Sequence, residues 1–382
     1  MGLAYNSTIG TGLMGIGYAI NEASNSPKDS SPFTYPSIIE QMVSQGLITR
    51  KAYSLYIDDL QSATGSIIFG GLDADKYHGD LLQMPVVPTQ LRNGSSVYAE
   101  LGVALTSFGI TGQQGNTVNL TSNGFKDVVI LDSGTTITYL PKSLVSQIYS
   151  RIGAVDDTSP SGSGMVYVDC SILQNSPDLT FNYGFGGAAG LSIRIPISEV
   201  VFPLSDLGSS GSFSSSSLPF ANACGFGIWS GGSTGPFILG DTFLRSAYVV
   251  YDLQSNIIAI AQTNFNSTSS SVVEFKASET GIPNVSGLAS SVDVTASPTA
   301  ILPGNPGGRT STGSGGATPS VTGLVTTAAG PAVTGTIAPS SSTASASRSA
   351  GVASMPAFDR RGLVVLGIAG AFAVLGGGWF VS

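Results

Sequence analysis

The residues best placed to do chemistry in this chain are one aspartate and the turn behind it. Val128-Val129-Ile130-Leu131 runs straight into Asp132-Ser133-Gly134-Thr135-Thr136. A carboxylate at the end of an apolar β-run is costly to bury as a charge unless it is hydrogen-bonded or put to use. The turn offers hydroxyls on either side of a glycine. The hydroxyls can hold the carboxylate, and the glycine lets another backbone come close. This points to proton transfer by Asp132, with Gly134, Thr135 and Thr136 around it. Such chemistry usually pairs two carboxylates, one acting as acid and one as base. The chain contains no second Asp-Thr/Ser-Gly-Thr/Ser segment.

The rest of the composition removes the rival chemistries. His78 is the sole histidine and sits in a turn-like Tyr77-His78-Gly79-Asp80 segment, so any Ser-His-Asp triad or Cys-His pair would have to use it. Cys170 and Cys224 are the only cysteines, too few with one histidine to build a zinc site. No metal and no cofactor is expected. The net charge of −8 disfavours nucleic acid as a partner. Only 10% of residues are charged, and Gly, Ser and Thr dominate the polar content, as in an all-β or extracellular chain. Five Asn-x-Ser/Thr sequons, at Asn6, Asn93, Asn119, Asn266 and Asn284, also point outward.

The elements that must position Asp132 read mostly as strands. Residues 1–90 form a first unit. Gly12-Leu13-Met14-Gly15-Ile16-Gly17-Tyr18 reads as a buried strand and turn, Ser37 to Gln45 as a short helix stopped by Gly46, and Ala52 to Ile57 and Ser66 to Phe69 as strands before a Gly70-Gly71 turn. Residues 91–268 form a second unit. Strands are expected at Val97 to Leu105, Val128 to Leu131, Met165 to Val168, Leu179 to Phe181, Leu191 to Ile195 and Tyr248 to Asp252, with a helix from Leu144 to Arg151.

The remainder changes character. Residues 269–350 are rich in Ser, Thr, Ala, Gly and Pro and poor in aromatics, the composition of a disordered, O-glycosylated stalk. Residues 362–382 are uncharged and mostly apolar. Small residues at Ser349-Ala350-Gly351 precede a spacer of about the length a glycosylphosphatidylinositol (GPI) signal needs, roughly 8–12 residues. Residues 351–382 therefore read as a GPI-attachment signal with Ser349 as the attachment residue. A tail-anchored transmembrane helix is the rival, since the apolar run is long enough to span a bilayer.

Taken together, these segments resemble the pepsin-like aspartic proteases, and within them the fungal GPI-anchored yapsin-like type. Ile130-Leu131-Asp132-Ser133-Gly134-Thr135-Thr136 resembles the active-site motif of that family's C-terminal lobe. Phe237-Ile238-Leu239-Gly240-Asp241-Thr242-Phe243-Leu244-Arg245 resembles the segment that passes through the loop around that aspartate, and Tyr248-Val249-Val250-Tyr251-Asp252 continues it. Gly12 to Tyr18 resembles the matching N-lobe segment, and Gly65-Ser66-Ile67-Ile68-Phe69-Gly70-Gly71-Leu72-Asp73 the strand and turn before the lobe linker. The match covers roughly residues 11–263.

The resemblance implies an all-β, bilobal fold with an incomplete N-terminal lobe. It also implies an aspartic endopeptidase that hydrolyses peptide bonds with a water activated between two carboxylates. Asp132 would be one of them. Gly134 would admit the substrate backbone, Thr135 would brace the carboxylate, and Thr136 would face substrate or a neighbouring loop. Cys170 and Cys224 would be the C-lobe disulfide. Asp73, Asp241 and Asp252 match structural positions and are expected to be turn or cap aspartates. The expected partners are protein or peptide substrates and a membrane reached through the GPI anchor. The chain is expected to be a monomer at the plasma membrane or cell wall. The family's first Asp-Thr/Ser-Gly motif and flap normally precede the segment matched at Gly12. The sequence is therefore expected to be N-terminally truncated and, with one aspartate, inactive alone. The alternative is a catalytically inactive wall or binding protein derived from the same fold.

Overall fold

The computed structural model describes residues 14–25, 31–62, 64–91, 94–187, 190–207, 218–279, 281–283, 285–289 and 364–369. Compact units divide the chain into Met1–Pro306 with Phe358–Ser382, and Gly307–Ala357. The second unit lies outside the described residues, as do Ser349, expected to carry the GPI anchor, and the sequons at Asn6, Asn93 and Asn284.

The described fold is mostly β, with few and short helices. One sheet has seven strands in the order Val285–Leu288, Tyr77–Pro85, Ile257–Thr263, Ala247–Asp252, Ala52–Tyr56, Thr64–Phe69 and Val364–Ala369. Strands from before residue 91 and after residue 246 thus share one sheet. Ala52–Tyr56 pairs antiparallel with Ala247–Asp252, placing Tyr53 opposite Tyr251. Both strands are buried at every position, the pattern of a central strand covered on both faces.

A larger sheet carries the aspartate. Its order is Leu191–Pro196, Thr180–Phe185, Gly102–Thr111, Asp127–Leu131, Phe237–Leu239, Thr138–Leu140 and Ile228–Ser230, and Thr117–Asn119 is added at the side. A four-stranded sheet of Val155–Asp157, Met165–Asp169, Ala223–Phe226 and Val201–Pro203 and two two-stranded sheets, Gly71–Asp73 with Val272–Glu274 and Thr89–Gln90 with Ser96–Val97, complete the described fold.

Local signals set the helices. Ile38–Ser44 begins in a capping box: Ser37 Oγ accepts the Glu40 N–H at 3.3 Å, and Glu40 accepts the Ser37 N–H at 3.0 Å. Lys142–Ile152 buries Leu144, Val145 and Ile148 on one face and ends at Gly153, whose φ of 70° suits the left-handed stop.

Three expectations differ from the fold. Residues 14–18 of the Gly12–Tyr18 segment form no strand, and Met14 is 49% exposed. A glycine-punctuated run has little strand preference of its own, and residues 14–18 find no ladder partner among the described residues. The strand expected at Val97 to Leu105 instead runs over Gly102–Thr111. Pairing with Thr180–Phe185 on one side and Asp127–Leu131 on the other carries the ladder past its apolar stretch. The segment after residue 269 does not leave the domain at once. Val272–Glu274 pairs with Gly71–Asp73, and Phe275 and Ile282 are buried in the core. Two well-placed apolar side chains and a free strand edge outweigh a polar average composition.

Candidate active site

Asp127–Leu131 is an inner strand of the large sheet. It runs antiparallel to Gly102–Thr111 and parallel to Phe237–Leu239, with Leu131 beside Leu239. Val129 and Leu131 are fully buried, which fixes the height at which the strand delivers its last residue. Asp132 follows at the strand end, half-buried, with Ser133 and Gly134 exposed beyond it.

The turn holds the carboxylate by both oxygens. The Gly134 N–H donates to Oδ1 at 2.9 Å, and the Thr135 hydroxyl donates to Oδ2 at 2.6 Å. The Asp132 N–H donates to the Leu239 carbonyl at 3.2 Å. Charge-assisted donors of this kind orient a carboxylate. A Cβ at position 134 would lie 3.1 Å from Asp132 Oδ1, so glycine keeps the outer face of the carboxylate uncovered.

The segment after Leu239 clamps the other side of the turn. The Asp241 N–H donates to the Thr135 carbonyl at 2.8 Å, and the Thr242 N–H to the Thr136 carbonyl at 3.1 Å. Thr242 Oγ1 also donates within a buried network, lying 2.9 Å from Thr138 Oγ1 and 3.0 Å from the Gly227 carbonyl. The approach is so close at Gly240 that a Cβ there would sit 2.1 Å from the Thr135 carbonyl oxygen and 2.6 Å from that of Ile137. Glycine at 240 is a steric requirement of the clamp.

The structure thus brings Asp132, Gly134 and Thr135 into direct contact, and ties Thr136 to the clamp through its backbone. Asp73 and Asp252 stand where the sequence expects turn and cap aspartates. Asp73 accepts the Asp75 and Ser271 N–H groups, and Asp252 accepts those of Gln254 and Ser255 and pairs with Arg50. Asp241 is different. It is the first residue of the short helix Asp241–Leu244, caps nothing with its side chain, and is 6% exposed. Its Oδ1 is buried with no hydrogen-bond partner among the described residues. Burial lifts its carboxyl to about 7, against a lowering by Arg245 and with a further rise from the Asp132 charge. Tyr53 and Tyr251 stack 4.7 Å apart beneath this region. Burial raises both hydroxyls, and the Asp132 charge adds to the rise at each. A lone acid within the apolar run Phe237–Leu244 was a readable signal for Asp241. Tyr53 and Tyr251 lie about two hundred residues apart, and only strand register brings them together.

Cys170 and Cys224 form a disulfide with Cα atoms 5.1 Å apart, bridging two adjacent strand ends. Asn119 lies exposed on Thr117–Asn119. Asn266 is also exposed, but its Nδ2 donates to Asp59 at 2.6 Å. His78 is exposed on Tyr77–Pro85. Among the described residues no helix is long and apolar enough to cross a membrane.

Comparison with known proteins gives a consistent result. The family model for eukaryotic aspartyl protease matches residues 3–263. "Probable aspartic-type endopeptidase opsB" of Aspergillus oryzae is 38% identical over 76% of this chain and 55% of its own length. The protein of the same name from Aspergillus fumigatus is 36% identical over 81% of this chain and 59% of its own. "Aspartic proteinase 3" of Saccharomyces cerevisiae is 32% identical over 70% of this chain and 42% of its own. The chain therefore spans about half the length of the curated relatives it matches.

Proposed function

The chain belongs to the eukaryotic aspartyl protease family, and from that premise we propose that it supplies the Asp132 half of a peptide-hydrolysing site at the cell surface. The observation that carries this reading is the Asp132 carboxylate, held by the Gly134 N–H and the Thr135 hydroxyl and left open on its outer face. In the proposed reaction a water lies between Asp132 and a second carboxylate. Two close carboxyls cannot both ionise, so they share one proton. The ionised one takes a proton from the water, which attacks the peptide carbonyl, while the protonated one donates to the carbonyl oxygen. The tetrahedral intermediate then collapses as the leaving nitrogen gains a proton. Gly134 gives the substrate backbone room, Thr135 keeps the Asp132 carboxylate in place, and Thr136 faces substrate or the adjoining loop.

One carboxylate cannot fill both proton roles. Asp132 is the one aspartate of this chain in an Asp-Ser-Gly-Thr segment, and Asp241 Oδ1 is sealed from solvent. We therefore read this chain on its own as inactive in hydrolysis. Substrates are proteins or peptides. The relatives include a protein named "Secreted aspartic protease 8" of Candida albicans, which supports an extracellular location. The apolar C-terminus and the small residues at Ser349 support GPI anchoring of the yapsin-like kind, with carbohydrate on the exposed sequons.

The test is acid-pH cleavage of a denatured protein by the product of the whole gene, collected from the cell surface as wild type and as D132N. Pepstatin-sensitive cleavage that disappears in D132N is the expected result. Equal absence of cleavage in both would favour a non-catalytic wall or binding protein. Release of the protein by a phosphatidylinositol-specific phospholipase C checks the anchor separately.

A further inference from the structure

Asp241 is a buried acid that the proposed reaction does not use. It belongs to the segment that grips the Asp132 turn, since its own N–H bonds the Thr135 carbonyl, while the Thr135 hydroxyl bonds the Asp132 carboxylate. Its Oδ1 has neither a protein partner among the described residues nor contact with solvent. Burying an unpartnered oxygen in this way costs a charged carboxylate more than a neutral carboxyl.

We propose that Asp241 is a positioning residue that carries its proton behind the Asp132 turn, and that losing this proton places a second negative charge against Asp132 and loosens the clamp that holds it.

The charged groups that act on Asp241 are Arg245 and Asp132. On its own helix and the residue after it, the only cation is Arg245. That guanidinium is already committed, through Nε at 2.8 Å to the Glu199 carboxylate and through Nη2 to the Glu199 carbonyl. Glu199 in turn accepts the Leu60 N–H at 3.0 Å, so the cation is tied to a separate buried network. From the aspartate turn the facing group is Asp132, a like charge. From Ala247–Asp252 it is the Tyr251 hydroxyl, which feels both Asp132 and Asp241 and is itself held neutral by burial. Tyr53 lies behind Tyr251 and feels Asp132. Among these groups only Arg245 favours an ionised Asp241, and burial outweighs it. Burial sets its midpoint at about 7, and the Asp132 charge adds to the rise.

In the unfolded chain Asp241 ionises near pH 4, whereas in the fold it keeps its proton to about pH 7. Between these values the folded state holds more protons. Stability from this group is therefore fully present below about pH 4, falls as pH rises, and is gone above about pH 7. This charge coupling does not depend on the chain cleaving peptides.

The experiment is a carbon-13 carboxyl NMR titration of the protein labelled at aspartate, as wild type, D241N and D132N, from pH 3 to pH 9. The expected result is a carboxyl resonance that titrates near pH 7 in wild type, vanishes in D241N, and moves to lower pH in D132N because the like charge has gone. The Asp132 resonance, assigned from D132N, should shift in that same window in wild type and not in D241N. No carboxyl titrating between pH 6 and pH 8 would overturn the proposal, as would one that survives in D241N. An Asp132 resonance indifferent to D241N would leave Asp241 a merely structural acid and would also overturn it. Should D241N fail to fold, the wild type and D132N decide, since an unchanged near-neutral midpoint in D132N means that the two carboxyls are not coupled. Denaturant midpoints give a second reading: wild type should lose resistance between about pH 4 and pH 7, and D241N should lose much less.

Discussion

At the scale of the residue, the site depends on how one carboxylate is held. Thr135 supplies the shorter of the two hydrogen bonds to Asp132, and it is a side-chain bond that substitution can remove without touching the backbone. Thr135→Val keeps the shape and deletes the hydroxyl. A hydrogen bond to a charged group contributes about 1.5–3 kcal/mol, and this one is half-exposed, so a loss of about 1 kcal/mol is expected by urea denaturation. Thr135→Ser should restore most of it. Equal stability of the Val variant and wild type would mean that the Gly134 N–H alone holds the carboxylate.

At the scale of the element, the important contact is between the aspartate turn and the short helix that follows Phe237–Leu239. Parallel pairing of that strand with Asp127–Leu131 brings two chain segments about a hundred residues apart into register. Gly240 then passes so close to the Thr135 and Ile137 carbonyls that no side chain fits. Both clashing atoms are backbone, so neither can rotate away. Gly240→Ala is expected to cost several kcal/mol, on the order of 3 or more, or to prevent folding altogether. Gly134→Ala is the control. There the nearest atom is a side-chain oxygen at 3.1 Å, and the thermal midpoint should fall by much less. If the two variants melt alike, the close packing at Gly240 is not what holds the turn.

At the scale of the whole molecule, the described residues between 271 and 289 still belong to the fold. Arg50 is 1% exposed and binds the Glu279 and Gly281 carbonyls at 2.9 and 2.8 Å while pairing with Asp252. Phe275 and Ile282 fill the core beside Leu72 and Leu81. A chain ended after Ser269 would expose that surface and leave Arg50 short of acceptors. Burial of two large apolar side chains contributes about 1.5–3 kcal/mol each, so a loss of about 3 kcal/mol or more is expected against a chain ended after residue 290. Equal thermal midpoints for the two lengths would show that the return segment contributes nothing.

How much of this was legible before folding follows from the range of the interactions. The sequence by itself determined Asp132 and its turn, because a carboxylate ending an apolar strand before Ser-Gly-Thr-Thr is a local pattern of five consecutive residues. It also determined the short helix at Ser37 to Gln45 and its stop at Gly46, whose signals lie within a turn of the helix ends. Strand cores such as Met165 to Val168 were legible from their apolar runs, but the ends of Gly102–Thr111 were not, since its neighbours set its length. Only the tertiary structure decided that Asp241 is an orphaned acid and not a cap, that Tyr53 faces Tyr251, and that a polar-looking stretch returns to bury Phe275. Each depends on which distant surface arrives opposite the residue. Burial and desolvation are properties of the assembled surroundings, and no short window of sequence carries them.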